Sequence, residues 1–206
     1  MEPVTSLQEY RLTAARRSQA ARRGTARPAF FFDLASPYTY LAAERADRMF
    51  ARLEWIPVAS EALQCGAPDA DAERAVIAHR AALLGLPIVW PAGPAIPVVG
   101  AMRVASLACE RGLGAAFVLA ASRLVFCGGF DIDEPEILAE AAAAAGIGLG
   151  EMLRAAGDSG RDGAMEEAGR RLLAAGADRL PALRVGRMLF CGEDRLSEAV
   201  AARASA

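Results

Sequence analysis

Residues Phe30-Phe31-Phe32-Asp33-Leu34-Ala35-Ser36-Pro37-Tyr38-Thr39-Tyr40-Leu41 constrain this chain more than any other stretch. The first half is a short aromatic and apolar run, suited to a strand buried on both faces. Ser36 then supplies an N-cap, and Pro37 stands at the first helical position, where its missing N–H costs nothing. From Thr39 onward Tyr40, Leu41 and Met49 alternate with Glu44, Arg45 and Arg48 at helical spacing. A strand running straight into a helix through Ser-Pro puts a hydroxyl at a helix N-terminus. Free N–H groups and the macrodipole favour an anion there, a thiolate included. The same residues also serve a plainly structural end, a well-capped buried helix.

The rest of the chain divides around this unit. Residues 53–58, containing Trp55-Ile56-Pro57, read as a second strand, and strand–helix–strand order suits a parallel unit. From 59 to 157 the pattern is helical. It predicts helices over 72–84, with Arg74 and Arg80 outward, and over 102–110, 113–126 and 133–145; Pro87, Pro91, Pro94 and Pro97 break it. A further helix is expected over 164–175. Residues 182–185 and 188–191 form a predicted hairpin around Gly186-Arg187, and a last helix starts after Cys191-Gly192-Glu193-Asp194. The four strands are expected in one mixed sheet, the last two antiparallel. The implied domains are an Arg-rich extension (1–28), an α/β domain built from 29–58 and 158–206, and an inserted helical subdomain (59–157).

Composition narrows the chemistry. The 206 residues are 54% hydrophobic and 23% charged, with net charge −2, which fits a globular protein and offers no electrostatic argument for nucleic acid. All 23 basic residues are arginine, so lysine Schiff-base chemistry is excluded. Cys65, Cys109, Cys127 and Cys191 include no CxxC pair, and His79 is the only histidine, so a zinc site is not expected. His79 reads as a surface residue in mid-helix. No stretch reaches 18 uninterrupted apolar residues, and the first residues lack a secretory apolar core. The expectation is a cytoplasmic protein with neither a membrane nor a nucleic-acid partner.

Asp33-Leu34-Ala35-Ser36-Pro37-Tyr38-Thr39-Tyr40-Leu41 resembles the signature of the 2-hydroxychromene-2-carboxylate isomerases and kappa-class glutathione transferases. Trp55-Ile56-Pro57, Leu84-Gly85-Leu86-Pro87 before Trp90-Pro91, and the segment from Gly129 through Asp131-Ile132 to Pro135-Glu136 and Leu138-Ala139 extend the likeness. The resemblance implies a thioredoxin-like α/β fold with an inserted all-helical subdomain, related to disulfide oxidoreductases carrying Cys-Pro-x-Cys. Here Ser36 and Thr39 occupy the two cysteine positions. Neither has sulfur, so dithiol exchange is not expected.

The resemblance implies a glutathione-dependent isomerase, or a transferase using glutathione or another low-molecular-weight thiol. It would act on an electrophilic, aromatic-derived acid. Ser36 would be catalytic, donating to the thiol's sulfur. Leu180 and Pro181, the latter expected to follow a cis bond, together with Glu193 and Asp194, would hold the cofactor. Tyr38 and Trp90 would line the substrate side. A homodimer is also implied. Two departures stand out. Pro97-Val98-Val99-Gly100 has Val99 where the isomerases carry an asparagine, and Glu193 adds a negative charge where relatives carry a small or neutral residue. These departures favour a rival from another class, a non-catalytic thioredoxin-like module that binds a peptide or protein partner.

Overall fold

A computed structural model describes residues 27–59, 63, 70–91 and 98–204. The Arg-rich extension up to residue 26, most of the 60–71 loop with Cys65, and the segment holding Pro94 and Pro97 lie outside the described residues. Strand β1 (Ala29–Phe32) is buried along its whole length because cores form on both of its faces. Phe30 and Phe32 enter the larger core, while Ala29 and Phe31 enter a smaller one with Leu172, Leu180 and Cys191. This is the period-two alternation of a central strand. Each buried phenylalanine contributes roughly 1.5–3 kcal/mol.

Helix α1 (Pro37–Met49) follows directly and buries Thr39, Tyr40, Leu41, Ala42, Ala43 and Ala46. Strand β2 (Glu54–Pro57) returns parallel to β1, with Trp55 edge-on to Phe30 and Phe32 at ring centroid separations of 4.8 and 6.1 Å. Next come α2 (Ala70–Leu84), α3 (Val99–Glu110), α4 (Gly114–Phe126), α5 (Pro135–Ala144) and α6 (Leu149–Ala156). A 3₁₀ turn (Ser159–Arg161) leads into α7 (Asp162–Ala174), then β3 (Ala182–Val185) and β4 (Met188–Cys191). A second 3₁₀ turn (Glu193–Arg195) opens into α8 (Leu196–Ala204). The order β2-β1-β3-β4 gives the expected mixed sheet, with β3 antiparallel to both neighbours.

Two helices differ from the sequence pattern. Helix α3 begins one turn earlier than expected because Asp133, 32 residues along the chain, caps it. One carboxylate oxygen accepts from the Ala101 N–H at 2.8 Å and the other from the Gly100 N–H at 3.1 Å. Helix α2 buries Ile77 and Ala81, whereas Val76 and Leu83 face outward. Its composition is so rich in alanine that the apolar stripe is barely marked, and Arg80 turns inward to a carboxylate across the cleft.

Candidate functional site

The strand register gathers the site at one end of the sheet. β3 starts with Ala182 opposite Phe31, and β4 ends with Cys191 opposite Ala182. Pro181 therefore lies level with Phe32, where β1 gives way to the turn before α1, and Gly192-Glu193-Asp194 emerges beside it. The Gly192 N–H donates to the Pro181 carbonyl at 2.8 Å, tying the two segments together. Leu180-Pro181 is a cis peptide bond, as expected. The ladder begins only at residue 182, and neither the N–H nor the C=O of Leu180 pairs with another backbone group among the described residues. The Cys191 thiol is buried, which pushes its pKa up, and it receives backbone N–H donors from Asp178 and Arg179. It anchors the approach to Pro181 from behind.

Ser36 is the N-cap of α1 by backbone conformation, yet its side chain does not bond the first turn. Its carbonyl takes the Thr39 N–H at 3.0 Å. Asp33 holds the turn, its carboxylate accepting the Ala35 N–H at 2.8 Å. Thr39 is fully buried and accepts the Asp33 N–H at 3.4 Å. Of the two positions that carry cysteine in dithiol relatives, only 36 is therefore at the surface.

Glu193 was expected to add an unbalanced negative charge to the cleft, and the structure corrects this. Its side chain is only 4% exposed and lies between two guanidinium groups: Arg80 Nε at 2.7 Å and Arg45 Nη1 at 3.4 Å. Arg45 also reaches the Glu193 carbonyl. The carboxylate thus joins α1, α2 and the turn after β4, with its charge matched inside the protein. Asp194 stays exposed and pairs with Arg179 Nη2 at 3.5 Å. Arg179 also donates to the Cys191 carbonyl. Gly192 has φ +98°, and a Cβ there would approach Asp194 Oδ1 to 2.4 Å and Arg179 Nε to 2.7 Å. Only glycine lets Asp194 and Arg179 pack this close against the backbone at that positive φ.

The two residues expected on the substrate side are found in different surroundings. Tyr38 sits within the electrostatic reach of Glu73, Glu193, Arg179 and Arg80. Partial burial, then the two carboxylates, raise its pKa, so its hydroxyl keeps its proton and can donate. Trp90 instead lines an apolar cavity of about 460 Å³, packed edge-on to Phe126 at 6.5 Å. Ala35 and Pro37, on either side of Ser36, belong to the same wall, as do Ile77, Val98 and Phe130. Tyr40 is not at the site. It is buried, donates to the Pro87 carbonyl at 2.7 Å and meets the Cys127 sulfur at 3.1 Å; its pKa is raised by burial. Cys109 is pushed up to about 12 by burial, which makes it a poor nucleophile. His79 lies exposed on α2. Val99 is half-exposed at the start of α3 and brings no polar group.

Sequence reading missed Arg45, Arg80 and Arg179. Arg45 and Arg80 lie 148 and 113 residues from their partner Glu193, a separation that no local pattern encodes.

The model of the DSBA-like thioredoxin domain family matches residues 29–202. A sequence comparison with curated proteins finds no match. Among solved structures, a 2-hydroxychromene-2-carboxylate isomerase superposes with a TM-score of 0.76 at 17% identity, covering 87% of this chain and 95% of that one. A probable DsbA oxidoreductase from Streptomyces coelicolor superposes with a TM-score of 0.67 at 18% identity, covering 87% and 88%. At such identities the likeness is one of fold. No helix among the described residues is long and apolar enough to cross a membrane.

Proposed function

The chain belongs to the DSBA-like thioredoxin domain family, and on that premise we propose that it is a glutathione-dependent isomerase, with a related thiol as the alternative cofactor. The observation that carries this reading is the Ser36 hydroxyl. It stands at the N-terminus of α1, is not consumed by capping, and borders an apolar cavity. With no sulfur at 36 or 39, the reading leaves out dithiol exchange at this helix.

The residues present fit such a cofactor. The backbone of Leu180 offers one donor and one acceptor to an extended peptide, the strand-edge mode of recognition. The exposed carboxylate of Asp194, paired with Arg179 at the surface, suits the charged end of a γ-glutamyl group. Bound glutathione would supply the sulfur nucleophile, which adds reversibly to an unsaturated carbon so that the former double bond can rotate. Ser36 donates a hydrogen bond toward the sulfur position, and the positive end of α1 lowers the cost of negative charge there. The cavity wall of Trp90, Phe126 and Phe130 holds the electrophile and keeps water away. Tyr38, protonated, is a second donor at the polar end.

A transferase leaves the C–S bond in the released product, whereas an isomerase breaks it again after rotation and regenerates the thiol, so the two readings part on whether thiol is consumed. Calorimetric titration with glutathione tests both together. Saturable binding is expected, weakened roughly tenfold in Asp194→Asn by loss of one charge-assisted contact. Absence of binding would leave the partner-binding module as the better account.

A further inference from the structure

We infer that the electrophile taken by the cavity is uncharged, rather than an aromatic carboxylate. The inference deepens the reading above, in which the cavity is the substrate side of a thiol-dependent site. Four helices start at this wall: Ala35 and Pro37 belong to the entry of α1, Ala70 begins α2, Val98 caps α3 and Glu134 caps α5. Each N-terminus offers unsatisfied N–H groups that attract an anion. In three of them a carboxylate of the protein already stands at the helix start. Helix α2 has Asp71 and Glu73 in its first turn, α5 has Glu134 and Glu136, and α3 has its Gly100 and Ala101 N–H groups taken by Asp133. Asp131 in turn accepts the Asp133 N–H at 2.9 Å and fixes that cap. Helices α1 and α3 have no acidic residue in the first turn; the α3 N–H groups are taken by Asp133, whereas at the entry of α1 Asp33 accepts the Ala35 N–H, one residue before Ser36.

The charged side chains lining the cavity repeat the pattern. Among the described residues, Glu73, Asp131 and Glu134 line it together with one guanidinium, Arg74. That guanidinium lies over the Trp90 ring, 5.4 Å from its centroid, where the aromatic face already takes part of its charge. A carboxylate on the substrate would enter a space with three like charges, and at the start of α3 the N–H donors of Gly100 and Ala101 are taken by Asp133. An aromatic or alkenyl body without charge meets Trp90, Phe126, Phe130, Val98 and Ile132. The start of α1 at Ser36, with no acidic residue in its first turn, is then kept for the sulfur.

A matched pair separates the cases: methyl cinnamate and cinnamate, titrated into the full chain at pH 7 without any thiol and followed by calorimetry and tryptophan fluorescence. The ester is expected to bind at least about tenfold more tightly, the effect of one unfavourable charge in such a setting. Ala35→Phe, a substitution at an exposed wall position, should weaken the ester by a similar factor. The double variant Glu73→Gln/Glu134→Gln should bring cinnamate toward the ester. Cinnamate binding as well as the ester overturns the inference. So does binding of neither, or ester binding indifferent to Ala35→Phe. Because glutathione is left out, failure of the thiol reading shows in its own titration and leaves this result distinct.

Discussion

The two ends of the cleft treat charge in opposite ways. At the end formed by Pro181, Gly192 and Asp194, acidic residues are balanced within the protein: Glu193 by Arg45 and Arg80, Asp194 by Arg179. At the cavity end, among the described residues, Glu73, Asp131 and Glu134 line a space with only Arg74 to answer them. A balanced cluster costs nothing in long-range field and serves to fix geometry. An unbalanced one repels anions and so selects what enters. Position 36 stands between these regimes, at the start of a helix with no acidic residue in its first turn.

The largest expected effect comes from unbalancing the first end. Glu193→Ala leaves Arg45 and Arg80 facing each other across a largely buried gap. It should lower stability by about 3 kcal/mol, the low end for breaking a buried pair because Arg80 keeps solvent contact. Urea denaturation measures it. A loss below 1 kcal/mol would mean that the cluster is no more than a surface ion pair, and the contrast between the two ends would collapse.

Next is Ser36→Ala, which touches neither cluster. The fold should persist and kcat/KM should fall roughly 10²-fold, the range for removing one donor to a developing anion. Steady-state kinetics with glutathione and an accepted electrophile decide the point. An unchanged kcat/KM would remove Ser36 from the mechanism and leave α1 an ordinary capped helix.

These two residues also mark what can be read from sequence. Ser36 was legible because strand, cap, proline and helix follow one another within twelve residues, and each obeys a local rule. Pro181 and the β3–β4 hairpin were legible for the same reason, with Gly186 at φ +58° in the turn. The environment of Glu193 was not. Its partners come from α1 and α2, and the sequence pattern set Arg80 on the outer face of a helix whose alanines mark no clear stripe. The α3 cap was equally hidden, since Asp133 belongs to a different turn. Trp90 and Tyr38 were both found at the cleft, but on opposite sides of a division that depends on charges contributed by four separate helices. Local chemistry is written locally; compensation between distant charges is settled only by the packing.

The smallest effect lies outside both ends and serves as their control. Arg103 on α3 makes a paired contact with Asp162 at the start of α7, Nε to Oδ1 at 2.8 Å and Nη2 to Oδ2 at 2.6 Å. The hydrogen bonds from Arg103 hold the Asp162 carboxyl below the usual aspartate range. A carboxyl with a depressed folded-state pKa adds stability above its unfolded pKa, and that stability is lost as the pH falls through the folded value. At pH 7 Asp162→Asn should therefore be modestly less stable than the parent in urea. The two should begin to converge as the pH drops below about 4, the unfolded carboxyl's range, and meet only below the depressed folded-state value, where the parent's carboxyl is protonated as well. Glutathione and methyl cinnamate binding at pH 7 should be unchanged, since the pair borders neither ligand. An equal deficit at pH 7 and pH 3 would assign the loss to packing rather than charge. A change in ester affinity would show that the α3 start transmits strain from this pair to the cavity, which would undo the separation between scaffold charges and selecting charges.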